Sequence, residues 1–371
     1  MAENSEDDKK DPSLVALLGR RDAPADGVQD YCTFLAGALE TRGAHMVLAR
    51  VRWMEDGWFR GLQQLWRESI EWRGQWILLQ YTALSWSHRG FPFGAQAVLA
   101  ILHRRGVRCA IVFHEPDRQG GSSLLQRIRG ACQDWVIRRL YEGASKSIFT
   151  VPLETVAWLP VGEDKAAFIP IGANIPERIH RPAPAGLAAK VKTVIVFGVT
   201  DSPEAAAQEV NVISGVMLEA CNALGRLRLV VLGRGAAEAR ELLAKAFYRT
   251  AVELEVRGVL PAEQVADEFE SADALLFVRG AVTLRRGSAL AGVASGIPII
   301  GYRGEAWSGP LEQAGVEWSP SQDRGSLARG LIRVLSDPQR WTELHERNLE
   351  VQRNYLSWNR IAERFQAILA R

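Results

Sequence analysis

Cationic and small residues stand together where an apolar helix is expected to begin, in the segment RGAVTLRRGSALAGVASGIPII (residues 279–300). Arg285 and Arg286 directly precede Gly287 and Ser288 there. The first N–H groups of a helix lack intrahelical acceptors, and the aligned peptide dipoles leave partial positive charge at that end. Arginine adds bidentate, charge-assisted hydrogen bonds to phosphate oxygens. The segment is therefore a candidate anion site; the alternative is two solvated arginines beside a surface loop.

Two further candidates lie in the first half of the chain. The segment RCAIVFHEPD places His114 and Glu115 after a buried-strand pattern. In doubly wound sheets, ligands bind outside the carboxyl ends of the strands, so these side chains are expected to face a binding crevice. Gly27, in GRRDAPADGVQDY, precedes a helix start and could admit a phosphate or sugar close to the backbone. The structural alternatives are that His114 is a core histidine whose hydrogen bonds are satisfied and that Gly27 is required for steric reasons.

Other catalytic patterns are missing from the sequence or incomplete. There is no GxSxG nucleophile elbow, no DxD pair in a plausible loop, and no CxxC or zinc spacing among the four cysteines. The segment VVLGRGAAEA is similar to a dinucleotide fingerprint, with Glu253 or Glu255 about twenty residues on. Glu238 replaces the third glycine, however, and the strand is the second of its unit. A nicotinamide dehydrogenase is therefore disfavoured, and no metal and no cofactor are expected.

Composition indicates a soluble globular protein with two domains. The chain has 371 residues, 47% of them hydrophobic and 24% charged, and a formal net charge of +2, too small to favour nucleic-acid binding. The acidic N-terminus lacks the apolar core of a signal peptide, and no apolar run reaches the ~18 residues of a membrane span. The expected location is cytoplasmic. The basic segment RIRGACQDWVIRRL (residues 127–140) is either a solvated helix face or a peripheral contact with an anionic membrane or a lipid-linked substrate.

The elements that would position these residues follow an α/β alternation. Short Val-, Ile- and Leu-rich runs alternate with segments of helical period, the pattern of parallel sheets with crossover helices. The proline-bearing stretch NIPERIHRPAPAGLAAK interrupts the rhythm and is typical of a linker. The predicted organisation is an acidic tail (1–12), a Rossmann-like domain (13–180, joined by 355–371), a linker (181–190) and a second Rossmann-like domain (191–354).

Degenerate motifs in a fixed order give the chain a resemblance to glycosyltransferases of the GT-B fold, most closely to the retaining family 4. In order, they are PADGVQDYCTFLAGALETRGAHMV, ILLQYTALSWSHRGFP, AIVFHEPD, FIPIGANI, FESADALLFV, RRGSALAGVASGIPIIGYRG, LSDPQRW and YLSWNRIAERFQAIL. The resemblance implies a nucleotide-sugar donor on the second domain, an acceptor on the first, a cleft between them and a final helix that crosses back. It also implies that His114 assists at the donor sugar and that Gly27 lies near the donor phosphates.

The chain departs from the family at two donor contacts. The paired glutamates usual in family 4 fall on Thr283 and Ala291, and no Arg or Lys occurs in FGVTDSPEAAAQEV, where a diphosphate-binding pair is usual. Transfer builds negative charge on the leaving phosphate, which needs a cationic or N–H partner. We therefore predict that Arg285 or Arg286, with the Gly287 and Ser288 amides, takes over diphosphate binding. Thr283 is included in the predicted donor site.

The resemblance thus implies a metal-independent, retaining, hexosyltransferase-like enzyme of the kind used in polysaccharide biosynthesis, with His114 and Glu115 as the predicted catalytic residues. The predicted partners are a nucleotide sugar and a carbohydrate, lipid-linked or small-molecule acceptor, with no nucleic acid. The acceptor loop would be TALSWSHRGFP, with Trp86, His88 and Arg89, whose aromatic residues could instead pack between the domains. The alternative function is a non-catalytic GT-B-like binding or scaffolding protein.

Overall fold

The computed structural model describes residues 14–22, 26–118, 120–160, 162, 164–178, 191–304, 309–320 and 323–370. Within them the chain forms two compact units: the first runs to Ile171 and resumes at Trp358, and the second spans Gly172–Ser357. The tail predicted at 1–12 and the linker predicted at 181–190 lie outside the described residues. No helix in the described part of the chain is long and apolar enough to cross a membrane.

The first unit is built on a parallel six-stranded sheet. Its strands are β1 (Leu14–Leu18), β2 (Met46–Arg50), β3 (Trp76–Tyr81), β4 (Arg108–Phe113), β5 (Lys146–Phe149) and β6 (Ala166–Phe168). They are arranged in the order β2-β1-β3-β4-β5-β6. Strands β1 and β3 are buried along their whole length, because helices cover both faces of a parallel sheet. The order reverses between β1 and β3, which makes their carboxyl ends the expected ligand-binding edge.

Five helices in the described part of the first unit cover this sheet. They are α1 (Gly27–Glu40), α2 (Trp53–Glu68), α3 (Phe93–Arg104), α4 (Leu124–Gly143) and α11 (Trp358–Leu369), the last helix of the chain. Helix α11 buries Ile361, Ala362 and Phe365 in the core of the first unit. Its Trp358 ring stacks on Phe34 of α1 with 5.6 Å between ring centroids. The predicted return of the final helix to the first domain is confirmed.

The second unit repeats the design. Its strands are β7 (Lys192–Phe197), β8 (Leu227–Leu232), β9 (Val252–Gly258), β10 (Ala274–Ala281), β11 (Ile299–Tyr302) and β12 (Val316–Ser319). Its helices are α5 (Pro203–Leu224), α6 (Arg240–Ala246), α7 (Ala262–Glu270), α8 (Gly287–Ala294), α9 (Arg324–Ser336) and α10 (Pro338–Val351). The parallel sheet has the order β12-β11-β10-β7-β8-β9, so its order reverses between β7 and β10. The predicted α/β class with two Rossmann-like domains is confirmed.

Candidate active site

His114 is fixed at the carboxyl end of β4. Its backbone N–H donates to the carbonyl of Tyr81 at 3.0 Å, which continues the pairing with β3. Its side-chain Nε2 lies 2.8 Å from Oε1 of Gln80. The Gln80 amide in turn donates from Nε2 to the carbonyl of Leu78 at 3.1 Å, so Oε1 has to face the imidazole. His114 therefore donates from Nε2, and in the neutral ring Nδ1 is the acceptor.

The surroundings keep His114 uncharged. Burial lowers its pKa to about 4, well below the usual value. The ring forms a T-shaped pair with the Tyr31 ring, with 4.9 Å between centroids and an interplanar angle of 86°. The Tyr31 hydroxyl is buried and has no hydrogen-bond partner among the residues that the structure describes. Glu115 follows as a half-buried residue, and its charge adds to the effect of burial in raising the pKa of Tyr81.

The loop after β1 approaches the loop after β3 at a glycine that the sequence analysis did not select. A Cβ on Gly19 would lie 2.1 Å from the carbonyl oxygen of Ser85. That carbonyl accepts hydrogen bonds from Arg20 N at 2.8 Å and from Trp53 Nε1 at 3.1 Å. Gly27, the residue predicted to admit a ligand, begins α1, and a Cβ there would meet no described atom within 4 Å.

The predicted acceptor loop lines an open apolar cavity of about 700 Å³ in the first unit. His88 and Arg89 are exposed at this cavity, and the His88 ring forms a T-shaped pair with Trp53, with 5.3 Å between centroids. Trp53 also stacks on Trp58, with 4.9 Å between centroids. Trp86 also lines the cavity, but it is 1% exposed, and its indole N–H donates to the carbonyl of Gln80 at 2.9 Å. Its position is that of a core residue that holds Gln80.

Arginines converge at the switch point of the second unit. Arg279 lies near the carboxyl end of β10, beside the turn after β7, where a Cβ on Gly198 would lie 2.8 Å from Arg279 Nη1. Gly198 has φ of +88°, a conformation that favours glycine. Arg279 Nε is buried and has no hydrogen-bond acceptor within the described ranges. This arginine was not among the residues selected from the sequence, although a cation that ends an apolar strand pattern is a signal for it.

Arg286 belongs to the same cluster. Partial burial lowers its pKa, and the neighbouring charges of Arg279 and Arg285 lower it further, while Glu209 has the opposite effect. Glu209 reaches from α5 to the loop after β7, where its carboxylate accepts Thr200 N at 2.8 Å. Among the described residues, Arg279 and Arg286 thus lie close enough for their charges to interact, with Glu209 nearby, an arrangement that favours an anionic ligand.

The start of α8 contributes N–H groups to this cluster. Arg286 is the N-cap residue and provides no side-chain cap for the helix, while Gly287 is exposed and Ser288 half-buried. Thr283 lies in the preceding turn, where its carbonyl accepts Arg286 N at 3.0 Å. The residues predicted from the segment RRGS therefore lie together, whereas Ala291 is buried in the core of the unit.

The glycines of VVLGRGAAEA have a packing role in this structure. A Cβ on Gly235 would lie 2.1 Å from the carbonyl oxygen of Val199. The two acidic residues considered as ribose acceptors are occupied by ion pairs: Glu253 with Arg226, and Glu255 with Arg228. These contacts agree with the preference against a dinucleotide site.

Comparisons with known proteins identify the fold. No family model and no curated protein matches the chain. Sucrose-phosphate synthase from Thermosynechococcus elongatus matches with a TM-score of 0.65 and 18% identity, over 96% of this chain and 98% of that one. Anabaena HepE in complex with UDP and glucose matches with a TM-score of 0.66 and 10% identity, over 96% and 99%. A putative UDP-N-acetylglucosamine 2-epimerase from Listeria monocytogenes matches with a TM-score of 0.61 and 11% identity, over 97% and 96%.

The fold is accordingly the GT-B fold of nucleotide-sugar glycosyltransferases. At these identities the likeness concerns the fold alone, and the neighbours include both synthases and an epimerase. A fold hosts several reactions, so the function has to be argued from the side chains of each unit.

Proposed function

We propose that the protein is a glycosyltransferase that moves a sugar from a nucleotide-diphosphate sugar to an acceptor. The observation that carries the proposal is the convergence of Arg279 and Arg286 with the start of α8 at the switch point of the second unit. The neighbour HepE is in complex with UDP and glucose. A diphosphate is the part of such a ligand that an arginine cluster would bind.

Arginine is favoured as the main diphosphate partner because of its charge. Departure of the nucleotide leaves negative charge on the distal phosphate, and its stabilisation lowers the barrier. A helix terminus contributes about 0.3–2 kcal/mol, whereas enzymes lower their barriers by about 8 kcal/mol or more. Arg279 and Arg286 would supply the bidentate contacts that the helix start cannot. In this proposal their charge takes the place of a metal ion.

His114 would act at the sugar as a neutral group. Since Gln80 holds Nε2 as the donor, Nδ1 can accept a hydrogen bond from a sugar hydroxyl. Glu115 would orient a further hydroxyl, and Gly27 would leave space for the phosphates at the start of α1. Transfer of a hexose with retention follows from the family resemblance. The exposed His88 and Arg89, beside the stacked Trp53 and Trp58, would contact a carbohydrate or lipid-linked acceptor.

The test is a thermal-shift screen with UDP-, GDP- and ADP-sugars, followed by an assay for free sugar released by slow hydrolysis. We expect one nucleotide class to raise the Tm and to be hydrolysed, and His114→Ala to abolish sugar release while nucleotide binding persists. No stabilisation by any nucleotide sugar would contradict the proposal.

A second candidate function is binding without catalysis. It is favoured by Thr283 and Ala291 at the positions of the paired glutamates. The same screen distinguishes the two functions. Stabilisation without sugar release, in the presence of a range of acceptors, would indicate a binding or scaffolding protein.

A further inference from the structure

Helix α4 carries an apolar stripe on the face that points away from the core. Leu124, Ile128 and Trp135 are 73%, 48% and 48% exposed, and Leu125 beside them is 66% exposed. The spacing of 124, 128 and 135 places these side chains on one face of a helix. The opposite face is buried through residues that include Val136, Ile137 and Leu140. The helix therefore has a second apolar face, which we call the outer face (Leu124, Leu125, Ile128 and Trp135).

The N-terminal end of the outer face is held in the helix by a complete capping box. Ser123 Oγ accepts Gln126 N at 3.3 Å, and Gln126 Oε1 accepts Ser123 N at 3.0 Å. Reciprocal capping satisfies two N–H groups that would otherwise lack acceptors. Leu124 and Leu125 are the first two residues of this capped helix, so their exposure belongs to a formed helix.

Cations flank the outer face. Helix α4 contains four arginines, at 127, 129, 138 and 139, against two acidic residues. Both acidic residues are already in ion pairs: Asp134 with Arg118 at 3.4 Å, and Glu142 with Arg139 at 3.1 Å. Arg139 also lies over the Trp135 ring, 5.9 Å from its centroid. An apolar stripe with an interfacial tryptophan and flanking arginines has the chemistry of a helix that lies in an anionic lipid surface.

We propose that the outer face of α4 docks the protein onto an anionic lipid bilayer, with the helix parallel to the surface. The apolar side chains enter the boundary of the acyl chains, and Arg127 and Arg138 contact lipid phosphates. Phe93 extends the contact, since it is 47% exposed and its ring centroid lies 6.1 Å from that of Trp135. This docking does not depend on the proposed transferase activity.

Phe93 connects the outer face to the apolar cavity of the first unit. Phe93 also lines the apolar cavity beside His88 and Arg89. Docking would therefore bring that cavity next to the lipid surface, which favours a membrane-borne acceptor. This extension, unlike the docking itself, rests on the proposed function.

Co-sedimentation with vesicles tests the docking on the full chain. The vesicles are phosphatidylcholine mixed with phosphatidylglycerol, and phosphatidylcholine alone. We expect binding to the anionic vesicles that weakens as salt is raised, and at least a tenfold loss of partitioning in the double variant Leu124→Asp, Ile128→Asp. The matched control Leu242→Asp changes a partly exposed leucine of the second unit and should bind as the wild type does.

Three results would overturn the docking proposal. The first is wild-type protein that stays in the supernatant with anionic vesicles, and the second is a double variant that binds as tightly as the wild type. The third is a lipid-free dimer, seen by light scattering, that the double variant converts to a monomer, which would assign the outer face to a second copy. Circular dichroism confirms that each variant is folded. Docking without transferase activity would leave the docking proposal standing and contradict the proposed function alone.

Discussion

The imidazole Nε2 of His114 and the amide Oε1 of Gln80 lie 2.8 Å apart, although 34 residues separate them along the chain. Gln80 is 1% exposed. Its side-chain amide donates to the Leu78 carbonyl, and its backbone carbonyl accepts the Trp86 indole N–H. A buried strand residue therefore selects the tautomer of the residue proposed to meet the donor sugar. Gln80 is a positioning residue in this account.

The low pKa of His114 should be visible in the stability of the protein. Because burial lowers this pKa to about 4, the unfolded chain binds a proton here between about pH 6.5 and 4 that the folded chain does not. The His114 contribution to the free energy of unfolding should thus fall as the pH falls through that window, by at most about 3 kcal/mol. Urea unfolding at several pH values measures this contribution as the difference between the free energies of unfolding of wild type and His114→Gln.

The control for this titration is His45→Gln, which removes an exposed histidine of the same unit. This variant reports the effect of replacing an exposed histidine with glutamine at a site away from His114. If the free energies of unfolding of wild type and His114→Gln differ by the same amount at every pH, His114 is not held in its neutral form by burial.

The close approach of two loops predicts a strong effect at Gly19. A Cβ there would overlap the Ser85 carbonyl oxygen, so Gly19→Ala should lower the free energy of unfolding by about 2 kcal/mol or more. Gly37→Ala is the matched control, because Gly37 is an exposed helical residue whose Cβ would meet nothing within 4 Å. That change should raise the stability by up to about 1 kcal/mol. Equal effects of the two substitutions in chemical unfolding would contradict the described loop contact.

Glu317 connects β12 to two helices of the second unit. It is 6% exposed, and its carboxylate accepts Arg333 Nη1 at 2.9 Å and Arg340 Nη2 at 2.8 Å. Glu317→Ala leaves these arginines without their shared partner and should cost about 2 kcal/mol of unfolding free energy. Glu343→Ala, which removes an exposed carboxylate paired with Arg340 and Arg347, should cost clearly less, because solvent screens exposed ion pairs. Thermal unfolding that ranks Glu343→Ala as the more damaging change would overturn this assignment.

The sequence was sufficient to predict the fold, for a physical reason. Strands that are covered on both faces need continuous apolar runs, and runs such as QWILLQY and RCAIVFH indeed form β3 and β4. Strand β12 lacks such a run: it reads VEWS, in which Glu317 interrupts the apolar residues. Glu317 is tolerated there because arginines from α9 and α10 reach it, and such partners cannot be read from a local pattern.

The sequence indicated only some of the residues that make up the candidate site. The helix-start signal located Arg285, Arg286 and Ser288, because it is local in sequence. Arg279 and Gln80 were missed, since their importance arises from contacts with Gly198 and His114, which are distant along the chain. A glutamine within an otherwise apolar strand is the signal that could have located Gln80.

The central claim is that Arg279 and Arg286 bind the diphosphate of the donor, and calorimetric titration tests it most directly. UDP, GDP and ADP are titrated into wild type, Arg279→Ala with Arg286→Ala, and the control Arg347→Ala, an exposed arginine of α10. For the nucleotide diphosphate that binds, we predict at least tenfold weaker affinity in the double variant and no loss of affinity in the control. For the corresponding monophosphate, the double variant should lose less affinity. Unchanged diphosphate affinity in the folded double variant would contradict the account.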